Sequence, residues 1–96
     1  MKMVKQHTKE SEYIDSLDEL VRHMYKFSMR HHFYELGELD YVGVRPDGQW
    51  DIYEVKASDK GYNKAVLQLG RAEDYYGNLC LNTFLYIGKT GELHNI

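Results

Sequence analysis

The chain's single proline, Pro46, lies in the run Arg45-Pro46-Asp47-Gly48, and this run limits the possible folds more than any other stretch. Proline presets φ for a turn, aspartate bonds to nearby backbone, and glycine accepts a positive φ. The flanking segments, Glu35 to Val44 and Gln49 to Ala57, read as strands. Two strands joined by so short a turn pair antiparallel, as a hairpin. In the second strand Ile52, Glu54 and Lys56 share one face, and Tyr53 and Val55 share the other.

A helix is expected before the hairpin, from about Thr8 to Phe27. Tyr13, Ile14, Leu17, Leu20, Val21, Met24 and Phe27 recur at spacings of three and four and form one apolar stripe. Asp15, Asp18, Glu19 and Arg22 fall off that stripe. Thr8 and Ser11 are both candidate N-caps, and the sequence does not choose between them. After the hairpin a second helix is expected from about Asn63 to Tyr76, burying Ala65, Leu69, Ala72 and Tyr76, with Gly77-Asn78 as its stop. Asn82 to Gly88 reads as a short apolar strand, Gly88 to Gly91 as a turn, and Glu92 to Ile96 as a last edge strand. The alternation of helices and strands gives an α/β domain with a small mixed sheet.

No linker, repeat or low-complexity run divides the 96 residues, so one domain is expected, with residues 1–7 loose at its start. Apolar residues make up 43% of the chain, enough for a globular core and too many for a disordered segment. No run approaches the roughly 18 apolar residues of a membrane span, and the N-terminus has no apolar signal core. The one cysteine, Cys80, excludes an internal disulfide, suits a reducing, cytoplasmic compartment and reads as a small buried apolar residue. The net charge of -3 argues against coating nucleic acid by bulk charge alone.

One set of residues carries chemistry. The hairpin brings Asp40, on its first strand, close to Glu54 on its second. Two carboxylates held together repel, and burial raises that cost; a divalent cation with a preference for oxygen ligands removes it. Lys56 projects to the same face as Glu54 and can orient water or offset charge building on a phosphate. That is the equipment of metal-assisted phosphodiester hydrolysis. A Glu-x-Lys pair alone is more often a charge pair on a solvated strand; Asp40, the turn and the preceding helix shift the balance.

Gly37-Glu38-Leu39-Asp40, then Ile52-Tyr53-Glu54-Val55-Lys56, then the helix segment Lys64-Ala65-Val66-Leu67-Gln68-Leu69 resemble the PD-(D/E)XK nuclease superfamily. The likeness is nearest to its Holliday junction resolvases and RecB-type domains and spans about residues 8–88. It implies a restriction-endonuclease-like, three-layer α-β-α fold with an α-β-β-β-α-β core. It also implies magnesium-dependent DNA cleavage (manganese substituting), structure-selective as in the resolvases. Asp40 and Glu54 would be metal ligands and Lys56 the catalytic lysine. Leu39 stands where the family often has proline. The family also places a glutamate on the first helix, for which Glu10, Glu12 and Glu19 are candidates. Glu10 has Tyr13, Ile14 and Leu17 at plus three, four and seven and so continues the apolar stripe, whereas Glu12 and Glu19 face water. Glu10 is therefore the expected third acidic group, unless Ser11 is the cap. A charge favouring the helix dipole is the equal alternative.

Gln68 matches the supporting glutamine of RecB-type domains. Ala72 stands where those domains have tyrosine, with Tyr75 as a substitute. Lys60, Lys64 and Arg71 are the expected phosphate-backbone contacts, with a plain solvated face as likely for Arg71. Arg30, His31 and His32 are further phosphate candidates, and no histidine spacing matches a zinc site. Of the nine tyrosines, Tyr41, Tyr53 and Tyr62 have base stacking as an option, with core filling the safer reading. Small size and only two helices leave apolar surface to cover, and junction-cutting relatives act as dimers. A homodimer is therefore expected, through residues 82–96 or the first helix.

Overall fold

The structure, a computed structural model, describes residues 9–96. The proposed cap Thr8 and the expected loose residues 1–7 lie outside that range. Helix α1 spans Lys9–Val21 and is followed by a single 3-10 turn, Arg22–Met24. Strands β1 (Phe27–Tyr34), β2 (Gly37–Val44) and β3 (Trp50–Lys56) follow in succession. A second 3-10 turn, Asp59–Gly61, leads into helix α2 (Tyr62–Tyr76), and strands β4 (Cys80–Ile87) and β5 (Glu92–Asn95) complete the chain.

The five strands form one mixed sheet in the order β1-β2-β3-β4-β5. β1, β2 and β3 form an antiparallel meander, β3 and β4 are parallel, and β4 and β5 are antiparallel. A parallel pair needs a crossover, and α2 supplies it. The turn at Arg45–Gly48 closes through Gly48 N–H donating to Arg45 O at 2.8 Å, and Gly48 takes φ 92°.

The helices pack on opposite faces. On one, Ile14, Leu17 and Val21 of α1 bury against Tyr41, Tyr53, Val55 and Tyr86. On the other, Leu69 and Ala72 of α2 meet Leu39, Val42, Val44 and Ile52, while Ala65 meets Leu85 and Ile87. Each large aliphatic side chain so removed from water contributes on the order of 1.5–3 kcal/mol. The architecture is the expected α/β one: helix, three strands, helix and strand, plus a short edge strand.

The extent of the first helix, its cap and the depth of Cys80 differ from expectation. The first helix stops at Val21 rather than Phe27, and its last six predicted residues are the 3-10 turn and the start of β1. Leu20, Met24 and Phe27 continue the three-and-four spacing, yet all three are exposed. Ser11 lies inside α1, so it is not the cap, and Glu10 stands in the first helical turn. Tyr41 and Tyr53 are fully buried, in line with the core-filling reading of them. Cys80 is half-buried, and its burial pushes the thiol up to about 11.

Candidate active site

β2 and β3 are paired from Val44↔Trp50 to Tyr41↔Tyr53, and there the ladder stops. Two residues further along β3, the main-chain N–H of Val55 is taken by a side chain: it donates to Asp40 Oδ2 at 2.8 Å. The strands part at Asp40, and its carboxyl fills the gap between them. On the other side of β2, Arg30↔Tyr41 and His32↔Leu39 flank His31. His31 has φ 53°, the one non-glycine residue with positive φ among the described residues. Backbone strain of this kind costs on the order of 1–3 kcal/mol and persists only where surrounding structure imposes it.

Glu54 is 1% exposed and Asp40 8%. Glu54 Oε2 is buried with no hydrogen-bond partner. Burial, and then the neighbouring Asp40 carboxyl, push the Glu54 carboxyl up to about 9, against a smaller opposing pull from Lys56. Its surroundings therefore favour the neutral form of the Glu54 side chain over the charged one. A divalent cation would supply what these oxygens lack: positive charge and open coordination positions. The donor set, two carboxyls and no soft ligand, fits magnesium or manganese.

Lys56 leaves the end of β3 partly exposed. Its stem lies against Gly61: a Cβ on Gly61 would stand 2.8 Å from Lys56 Cγ. The absence of a side chain at Gly61 thus gives the lysine its path along the turn before α2. Glu10 lies close enough to sense the site. Its carboxyl is raised above its ordinary value, first by partial burial, then by Asp40, with Glu38 adding and His31 and Lys56 opposing. Glu12 and Glu19 are exposed. Among the described residues, no three His, Cys, Asp or Glu side chains are gathered as a metal-ligand set, so Glu10 borders the Asp40–Glu54 pair without joining it.

A cleft of about 280 Å³ opens between the β1–β2 turn and α2, lined on β2 by Gly37 and Glu38 and not by Asp40 or Glu54 themselves. Lys64, Leu67, Gln68 and Arg71 form its helical wall, and Tyr34, Leu36 and Glu38 the opposite one. Gln68 Oε1 is a second buried oxygen without a partner. Lys60 sits in the 3-10 turn, exposed and not among the residues lining the cleft. Of the expected backbone contacts, the fold brings Lys64, Gln68 and Arg71 together and leaves Lys60 apart. Tyr75 hydrogen bonds to Glu35 at 3.4 Å and packs edge-on against Tyr34 at 5.0 Å.

Several contributors carried no local signal. Glu38 was visible only as part of a motif; in the fold its Oε2 meets His31 Nδ1 at 2.7 Å across the β1–β2 pair. Arg30 is held by Asp15 at 2.5 Å, and His32 packs among Trp50 and Tyr76. The nearest hint to Glu38 was its spacing of two from Asp40 on one strand. Gly61 offered no sequence signal at all.

No protein-family model matches the chain, and no curated protein is significantly similar to it. Among solved structures, the fold is similar to that of the structure of an EndoMS–dsDNA2 complex, with a TM-score of 0.55 at 13% identity. The likeness covers 88% of this chain and 38% of that one. The chain thus spans well under half the length of the protein whose fold it shares.

Proposed function

We propose that this domain hydrolyses phosphodiester bonds of DNA with a divalent cation, magnesium or manganese, held by Asp40 and Glu54. One observation carries the proposal: a fully buried glutamate oxygen without a partner, beside a second carboxyl, where two strands separate. A structural carboxyl at that depth would have its hydrogen-bond partners in place, because leaving a buried polar atom unsatisfied costs about 1–3 kcal/mol. The fold likeness to a protein solved with double-stranded DNA supports nucleic acid as the partner.

The cation supplies Lewis acidity toward a phosphoryl oxygen and toward water. The chain's own groups do the rest. Val55 N–H fixes the Asp40 carboxyl, so its oxygen is aimed without a side-chain search. Lys56 brings a fixed positive charge to the mouth of the pair, where negative charge grows on the phosphorus centre. Glu10 borders the site as an acceptor for a proton or for an ordered water. Lys64 and Arg71 hold the phosphate backbone along the cleft, and Lys60 contacts it further out. In the resolvase-like form of this reading, two copies cut two strands. Exposed Leu93 on β5, and Leu20 and Met24 at the end of α1 and the turn after it, are then the apolar surface that a second copy covers.

The test is cleavage of plasmid, single-stranded, flap and four-way-junction DNA with magnesium or manganese. Wild type cuts, and Asp40→Asn and Lys56→Ala do not; variants that cut equally well overturn the mechanism. Light scattering that finds a monomer at working concentration overturns the dimer. A second reading, a DNA-binding module without turnover, is favoured by the lack of a third ligand beside Asp40 and Glu54 among the described residues. Tight DNA binding that ignores chelator, with no cutting of any substrate, would establish it.

A further inference from the structure

We propose that the cleft between the β1–β2 turn and α2 holds one unpaired nucleotide of the strand being cut. Its base lies against Tyr34, Leu36 and Leu67, and its phosphates lie at Lys64 and Arg71. The inference rests on the reading of Asp40 and Glu54 as a phosphodiester-cleaving site and names the substrate that site takes. It is a strand with an unpaired nucleotide beside the scissile bond, rather than continuous duplex.

The walls have two characters, and a nucleotide has both. Leu36 and Leu67 are 46% and 69% exposed, yet both line the cleft, so apolar surface is offered to a ligand rather than buried by the fold. Lys64 and Arg71 stand seven residues apart on α2 with Leu67 and Gln68 between them, and neither has an ion-pair partner among the described residues. Free cations beside free apolar surface match a phosphate joined to a planar ring. The one acid lining the cleft, Glu38, has its Oε2 on His31 Nδ1 at 2.7 Å.

Tyr34 is a prepared platform. Tyr75 and Tyr76 pack against its ring at centroid distances of 5.0 and 5.4 Å, and Tyr76 is backed in turn by Trp50 at 4.9 Å. A ring fixed by its neighbours loses little freedom on stacking. Gln68 adds a buried amide oxygen without a partner, a hydrogen-bond acceptor for a base edge or sugar. The cleft also leads to the chemistry. Glu38 lies two residues before Asp40 on β2, about 7 Å along a strand, so a nucleotide seated there places its neighbouring phosphate toward the carboxyl pair. A base stacked in duplex has no face to offer such a wall; an unpaired one does. The volume of about 280 Å³ lies at the small end of ligand pockets, the scale of one nucleotide.

The experiment is DNA binding by fluorescence anisotropy in chelator, with three duplexes of equal length. One is fully paired, one carries a single unpaired nucleotide, and one carries an abasic site at that position. Wild type binds the unpaired-nucleotide probe about tenfold tighter than either other probe, the stacking contribution of one base. Leu36→Ala with Leu67→Ala, at two exposed positions, reduces that preference to less than about twofold with an unchanged melting temperature. Lys64→Gln with Arg71→Gln weakens all three probes alike and flattens the salt dependence. Equal binding of the three probes, no binding of any, or a preference that survives the leucine variants overturns the proposal. Cutting with magnesium is scored separately. Cleavage without a binding preference removes this inference alone, and a preference without cleavage removes the nuclease reading alone.

Discussion

Asp51 and Glu54 lie three residues apart on the same central strand, both sealed from water, at 0% and 1% exposure. They face opposite helices, and their surroundings differ. Asp51 accepts from Arg45 Nη2 and Nε at 2.7 and 3.1 Å, from Tyr25 Oη at 2.7 Å and from Asn82 Nδ2 at 3.1 Å. The Tyr25 ring reaches it over Gly43, where a Cβ would stand 2.2 Å from the ring. Glu54 has a second carboxyl, that of Asp40, for a neighbour and one oxygen with no partner. A buried carboxyl with its donors in place is architecture; one left short of them, at a point where the sheet splits, is the position proposed above to hold a cation.

The largest expected effect falls on the saturated side. Asp51→Ala strands a guanidinium, a phenol and an amide and lowers stability by about 3–5 kcal/mol. Denaturant titration measures it, with Asp51→Asn as the milder variant that keeps the fold. Glu54→Gln, by contrast, leaves stability in chelator unchanged or raises it. If the two substitutions cost the same, the contrast between the sites is wrong.

Next is the response to cations. At one hundred times its dissociation constant a divalent ion stabilises wild type by about 2.7 kcal/mol. Asp51→Asn keeps that increment and Glu54→Gln loses it, as thermal melts with and without manganese would show.

The pH dependence is smaller and has a definite sign. Because the folded protein holds the Glu54 carboxyl at about 9, above its ordinary value of 4.5, the native state binds that proton more tightly than the unfolded chain does. This contribution to stability is full below about 4.5, declines as pH rises, and is gone above about 9. In chelator, Glu54→Gln therefore gains on wild type as pH rises across that window. A difference that stays flat with pH contradicts the burial and charge environment described for Glu54.

The smallest stability effect is that of Gly61→Ala, within about 1 kcal/mol. The added methyl displaces the Lys56 stem and slows cleavage by about tenfold, as misplaced groups do. Cleavage at the wild-type rate would show that Gly61 does not position Lys56.

Much of the scaffold was legible. Ile14, Leu17 and Val21, and then Ala65, Leu69 and Ala72, keep helical spacing over the length of the sheet they cover. β1 was not placed because it is an edge strand with no clean alternation: Phe27 and Phe33 are exposed and Ser28 and Met29 half-buried. Leu20, Met24 and Phe27 imitated a continuing helix because spacing records which residues share a face, not whether anything lies opposite.

The sequence by itself determined the hairpin at Pro46, the two helices, and the placing of Glu54 and Lys56 two apart on one strand, because each depends on residues within a few positions of one another. Only the tertiary structure decided which buried carboxylate would be satisfied. Asp51's donors come from positions 25, 45 and 82, and Glu54 is set beside Asp40 where β2 and β3 part. Hydrogen-bond partners of a buried group are set by packing between distant segments, and no local pattern of residue types records them.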